Sequence, residues 1–279
     1  MLLEDLRKEY HALIFKELLS VDEKKIPNNA DKYSQISVAL AKGIVEEIAI
    51  QTNTVKLSGQ TMGKSFEKLT YYFLEKVFNE INHLRTGKFE FCLGKSIDGF
   101  EQYEHLSMLA ETLKNNRQLR AAVGDYLICP DIVIGRIPID DKEINKNKKL
   151  IKPNDKNANL TPLRMSNSQK PILHASISCK WTIRSDRSQN SRTEGLNLIR
   201  NRKGHTPHIV IVTGEPYPQR IASLALGTGD IDCVYHFALR ELLISIEKLK
   251  NEVATDLIET LVQGKRLRDI SDLPFDLAI

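Results

Sequence analysis

The run Ile172-Leu-His-Ala-Ser-Ile-Ser-Cys-Lys-Trp181 constrains the fold more tightly than any other stretch of the chain. Side chains alternate across a strand, so Leu173, Ala175, Ile177 and Cys179 share one face while His174, Ser176, Ser178 and Lys180 share the other. The apolar face has to be covered, and the opposite face carries polar groups that end in a cation. The next segments extend the constraint. Residues 185–202 read as a polar amphipathic helix, and His208-Ile-Val-Ile-Val-Thr213 is a short apolar run of the type found in buried strands. Strand, helix and buried strand in succession predict an α/β fold.

The rest of the chain fits that class. Residues 3–20 predict an amphipathic helix, 21–32 a polar loop, 35–50 a second helix, and 64–84 a long helix whose Phe66, Leu69, Phe73, Val77 and Ile81 recur at three or four residues. Lys88 to Leu93 predicts a strand, 102–122 a helix, and 126–134 a β-rich run broken by Pro130, which removes a ladder donor and marks a strand start, edge or bulge. Residues 142–171 are rich in Lys and Asn and predict a polar surface insertion. Beyond them the pattern predicts a helix near 217–225, a strand near 231–236 and helical sequence over 238–263. No internal repeat or Gly/Ser linker divides the chain, so residues 1–279 are expected to form one domain.

Composition excludes several classes. With 41% hydrophobic and 27% charged residues the chain is globular rather than disordered. Its net charge of +4 is compatible with a polyanionic partner but does not demand one. Cys92, Cys129, Cys179 and Cys233 form no CxxC pair, which argues against a disulfide framework or a zinc site and fits the cytoplasm. The N-terminus mixes charges at helical spacing, unlike a signal peptide, and no stretch reaches the roughly 18 apolar residues of a membrane span.

The chemistry gathers around Lys180. Asp131 lies at or near the start of a strand too apolar for an ordinary solvated carboxylate, and Glu194 lies on the helix after Lys180. Phosphodiester hydrolysis needs carboxylates that hold Mg²⁺ against the scissile phosphate and a cation near the attacking water, parts that Asp131, Glu194 and Lys180 can supply. Each alone has a plainer reading as a cap or ion pair. Directly after the lysine strand come Arg184, Asp186 and Arg187. Two arginines can each pair with guanine O6 and N7 and an aspartate can accept from cytosine N4, although an exposed charged helix entry explains the trio as well.

Other signals fail. Gly63-Lys64-Ser65 lacks the first glycine of a phosphate loop, Ser58 standing there, and Gly94-Lys95-Ser96 has Phe89 in its place. His205 and His208 have no further ligand cluster and read as solvated or capping residues. Ser178 and Lys180 could be imagined as a serine–lysine hydrolase dyad, but that leaves Asp131, Glu194 and the arginines unemployed. A non-catalytic DNA-binding protein is the remaining alternative.

Ile172 to Arg187, Glu194-Gly-Leu-Asn-Leu-Ile-Arg-Asn-Arg-Lys-Gly204, Ser58-Gly-Gln-Thr61 with Phe66-Glu67, Pro130-Asp-Ile132, Ala225-Leu-Gly-Thr-Gly229, the run from Ile231 to Ala238 and that from Gly264 to Pro274 together resemble the NgoMIV type of restriction endonucleases. The resemblance implies a PD-(D/E)XK core, a central mixed β-sheet flanked by α-helices, in which the second acidic ligand has moved from the lysine strand to the next helix. On that pattern Asp131 and Glu194 hold Mg²⁺, Lys180 completes the catalytic centre, Ser178 lines it in the place where other nucleases carry an acid, and Glu67 is a supporting acid. It further implies that Arg184, Asp186 and Arg187 read CCGG from the major groove, that Gln60 contacts the minor groove, and that Asp31 helps read the outer base pair. The implied activity is cleavage of both strands of double-stranded DNA at GCCGGC after the first G, leaving four-base 5′ overhangs. The implied partners are three further copies, in a homotetramer of two DNA-binding dimers, and a companion DNA methyltransferase.

Overall fold

In the computed structural model the chain is described over residues 2–50, 59–114, 116, 118, 127–152, 155–227 and 229–279, with the side chains of 185–188 left aside. The helices are α1 (Leu3–Glu17), α2 (Gln35–Ile48), α3 (Gly59–Glu80), α4 (His105–Lys114), α5 (Asp141–Ile144), α6 (Ser185–Asn201), α7 (Pro218–Ala225), α8 (Leu239–Leu249), α9 (Glu252–Gln263) and α10 (Leu273–Asp276). The strands are β1 (Lys88–Leu93), β2 (Ile132–Ile137), β3 (Ile172–Lys180), β4 (His208–Thr213), β5 (Cys233–His236) and β6 (Leu267–Asp269), and they form a six-stranded sheet in the order β1-β2-β3-β4-β5-β6. β1 runs antiparallel to β2, while β4, β5 and β6 are parallel, so the sheet is mixed as the resemblance implied.

The chain divides into two compact units. The first comprises residues 1–84, 177–195 and 209–279, and the second residues 85–176 and 196–208. In the first unit the apolar stripe of α3 (Phe66, Leu69, Phe73, Leu74, Val77 and Phe78) is buried, each such side chain worth about 1.5–3 kcal/mol out of water. α3 packs on α1, α2 on α8, and α7 on α9. Ser34 caps α2 by accepting from the amide of Ser37. A buried ion-pair network ties α1 to the far end of the chain: Arg7 donates to both carboxylate oxygens of Asp269 at 2.9 and 2.7 Å and to both of Glu241 at 2.7 Å.

In the second unit β1 and β2 pair over six residues each, Lys88 opposite Ile137 and Leu93 opposite Ile132. The polar stretch 142–171 is tied down through Arg164, which is buried and donates to both carboxylate oxygens of Asp141 at 2.6 and 2.7 Å. Lys95 pairs with Glu90 at 2.6 Å and lies over the ring of Phe100.

Several boundaries differ from the sequence reading. α3 begins at Gly59 rather than 64, because glycines and polar residues at its start carry no apolar stripe. Gly63-Lys64-Ser65 therefore lies inside a helix, where no phosphate loop can form. Helical sequence over 238–263 is two helices, broken where Lys250 turns left-handed (φ 53°) and Asn251 caps the next helix through Ala254. The helix expected over 102–122 is a 3-10 turn at 101–103 and α4, and most of its remainder lies outside the described residues. β6 and α10 went unread, being three and four residues long. His208 is half-buried, and its ring packs edge-on against His174 at 5.2 Å. Among the described residues no helix is long and apolar enough to cross a membrane.

Candidate functional site

The end of β3 is fixed from below and from the side. The carbonyl of Lys180 accepts from the Thr213 hydroxyl at 2.8 Å and from the Gly214 amide at 3.2 Å. Trp181 then turns into the core between Phe66 and Phe237, with ring centroids 5.1 and 5.3 Å away. A Cβ on Gly214 would stand 2.3 Å from the Trp181 ring, so the close approach of these strand ends requires glycine. The indole N–H donates to Asn28 Oδ1 at 3.1 Å, and Asn28 in turn donates to the Leu18 carbonyl at 2.8 Å. Asn29, also buried, donates to the Gly214 carbonyl at 2.8 Å. These contacts seat the loop before α2, and with it Asp31, beside the lysine end of β3.

Between them lies a cleft of about 1040 Å³ whose lining includes Asp31, Lys180, Arg184, Gln219 and Arg220. Arg184 is exposed, as a residue that meets a large ligand should be. Asp31 is held by Arg220 through a short ion pair, while its other oxygen accepts from the Tyr33 amide at 3.1 Å. Beneath this pair sits Glu215, fully buried, accepting from the amides of Ile183 at 2.9 Å and Tyr217 at 3.2 Å, with Arg220 Nη1 3.7 Å away. Burial pushes its carboxyl up to about 7 against the opposing pull of those amides and Arg220. His236, whose Nε2 meets the Glu215 carbonyl at 3.1 Å, is held down at about 4 by burial.

Ser178 is half-buried on β3, on the same strand face as Lys180. Gln60 is exposed in the first turn of α3, and Glu67 half-buried two turns on; seven residues along a helix bring them to nearly the same face. Gly59, Met62 and Gly63 of that helix line the cleft. Glu194 is half-buried on α6, next to Gly195, where a Cβ would stand 2.5 Å from the Asp230 carbonyl. Asp186 and Arg187 belong to the first turn of α6, but their side chains lie outside the described residues. Asp131 belongs to the second unit, immediately before β2, with its carbonyl accepting from the Gly94 amide at 3.1 Å. The first unit thus brings Asp31, Lys180 and Arg184 to one cleft. It adds Arg220 and Glu215, which sequence reasoning missed. The available signal was Glu215 two residues beyond the apolar run 208–213, a charged residue close behind a buried strand.

A metal ion fits the donor set in kind. Asp131 and Glu194 offer hard oxygen donors, and Mg²⁺ characteristically takes one or two carboxylates and completes its shell with water and phosphate.

Comparison with known proteins places these residues in a wider setting. The sequence profile of the family described as NgoMIV restriction enzyme matches residues 10–279. The type II restriction enzyme NgoMIV of Neisseria gonorrhoeae is 48% identical over 280 aligned positions, covering 98% of this chain and 97% of that protein. A solved complex of restriction endonuclease PspGI with its substrate DNA aligns over 99% of this chain and 91% of that one at 13% identity, but its TM-score of 0.32 is too low to inform the fold.

Proposed function

Because this chain belongs to the NgoMIV restriction enzyme family, we propose that it is a magnesium-dependent type II endonuclease that cuts both strands of duplex DNA at GCCGGC. Cleavage after the first G leaves four-base 5′ overhangs. The observation that carries this reading is the cleft, where the cationic end of β3 opens beside Arg184 and the Asp31–Arg220 pair.

In the reaction a water attacks phosphorus and the bond to the leaving oxygen breaks. Asp131 and Glu194 would hold magnesium, which when bound supplies Lewis-acid polarisation of the phosphate and a water of lowered pKa. Lys180 orients that water and offsets the charge that develops on the phosphoryl oxygens. Ser178 lines the centre, and Glu67 supports it as a further acid. Arg184 and Arg187 donate to guanine O6 and N7, and Asp186 accepts from cytosine N4. Gln60 reaches the minor groove. Asp31 serves the outer pair, and its partner Arg220 gives that position the same acceptor-plus-guanidinium chemistry, suited to a C·G pair.

A palindrome is matched by a two-fold protein, and the assembly that fits this family is a homotetramer of two DNA-binding dimers. The protein works in the cytoplasm beside a DNA methyltransferase that protects the host's own sites.

Purified protein with Mg²⁺ is expected to cut DNA of known sequence at GCCGGC, as read from mapped fragment ends. Lys180→Ala or Asp131→Ala lowers cleavage by at least about 10²–10³-fold while binding stays measurable. Binding without cleavage in the unmutated protein would favour a non-catalytic DNA-binding role. Metal-independent ester hydrolysis that survives Asp131→Ala would favour the serine–lysine alternative.

A further inference from the structure

Glu215 is a fully buried carboxyl that lies behind the Asp31–Arg220 pair of the cleft. Its two oxygens accept from two different amides, Oε2 from Ile183 and Oε1 from Tyr217, so a neutral glutamine of nearly the same size could satisfy only one of them. A carboxylate buried to this extent carries a desolvation cost that a neutral acceptor avoids. Its nearest cation, Arg220 Nη1, stands 3.7 Å away, beyond a normal hydrogen bond. Arg220 meanwhile spends its Nη2 on Asp31.

Resting on the reading of this cleft as the base-reading surface, we infer that Glu215 is a positioning residue for sequence discrimination. It anchors the main chain at Ile183, one residue before Arg184, and keeps Arg220 extended into the cleft when Asp31 turns from Arg220 to a base. An Asp31–Arg220 pair satisfied only by itself would have to open before either partner could meet a base edge. Opening leaves Arg220 without a carboxylate unless a second one lies behind it, and Glu215 is that second one. A single buried side chain thereby ties together two reading groups that lie far apart in sequence, Arg184 after β3 and Arg220 on α7.

The groups that face Glu215 are Arg220 from α7, Asp31 from the loop before α2, and His236 from β5, with uncharged amides at Ile183 and Tyr217. With Glu215 pushed up to about 7 and His236 held down at about 4, Glu215 is the one of these two that changes charge near neutrality. Protonated, it loses its hold on Arg220, so discrimination should relax as the solution is acidified.

The test uses the full-length protein and two short duplexes that differ only in the outer pair, GCCGGC and ACCGGT, with binding read by fluorescence anisotropy in the absence of Mg²⁺. For the unmutated protein the ratio of the two dissociation constants is expected to narrow as pH falls from about 8 to about 6, across the titration of Glu215. In Glu215→Gln the ratio should be narrower at pH 8 by about tenfold, the worth of one charge-assisted contact, and should no longer change over that range. A ratio in the unmutated protein that is flat with pH overturns the inference, even if the variant proves too unstable to measure. So does a variant whose ratio and slope match the parent's. Specific binding with the expected pH response but without cleavage when Mg²⁺ is added would sink the nuclease reading alone. A normal nuclease with a flat ratio would sink this inference alone.

Discussion

Glu215 and His236 touch through one hydrogen bond, yet burial moves their titrations in opposite directions across the pH scale. The folded chain holds the Glu215 proton up to about 7, whereas an ordinary carboxyl releases it near 4.5. Its contribution to stability is therefore complete below about pH 4.5 and is lost as pH rises through about 7. His236, lowered from 6.5 to about 4, favours the fold above about 6.5 and loses that contribution as pH falls through about 4. Between those limits the two slopes oppose each other in the parent. Glu215→Gln should remove one of them, so the variant's stability relative to the parent should rise by roughly 3 kcal/mol between about pH 4.5 and pH 8, on top of a pH-independent cost for the amide left without an acceptor. Urea unfolding at a series of pH values checks this, and a parent-to-variant difference that does not grow with pH contradicts it. At this scale the sequence showed Lys180 and Asp31 through strand alternation and likeness to a family. Arg220 stayed hidden because its partner Asp31 lies 189 positions away, a distance that no local pattern spans.

At the scale of elements, what was legible depended on length and on covering apolar faces. β1 and β4 occupy the residues expected of them, because six residues of alternation or of unbroken apolar character are enough to see. The three-residue β6 is held in place by its parallel pairing with β5 and by the Arg7–Asp269 ion pair, neither of which a single sequence displays. The junction of α6 with the sheet offers a sharper test. Gly195 lies against the carbonyl of Asp230, and a methyl there would come within 2.5 Å of a backbone atom that has no rotamer to escape into. Gly195→Ala should destabilise the chain by about 1–3 kcal/mol and tilt α6 away from the loop at 230. Since Glu194 is the preceding residue, cleavage under conditions where the variant is fully folded should fall more steeply than stability does. A variant that keeps full activity would show that Glu194 tolerates displacement and would weaken its assignment as a metal-holding carboxylate.

At the scale of the molecule, a net charge of +4 over 279 residues is too small to bind DNA tightly by bulk attraction alone. Affinity must then come from cations concentrated at the cleft, Lys180, Arg184 and Arg220 among them, and from engaging more than one such surface at a time. Joining two reading surfaces in one assembly makes the second binding event intramolecular and raises its effective concentration. The proposed homotetramer supplies this twice over, first within each palindrome and again between two palindromes. Light scattering of the purified protein is accordingly expected to give the mass of four copies. A plasmid with two GCCGGC sites should be cut faster than one with a single site, and adding a short GCCGGC duplex should speed cleavage of the one-site plasmid by occupying the second dimer. A dimer mass, with equal rates on both plasmids and no response to the added duplex, would leave the two-fold reading of one site intact and remove the tetramer.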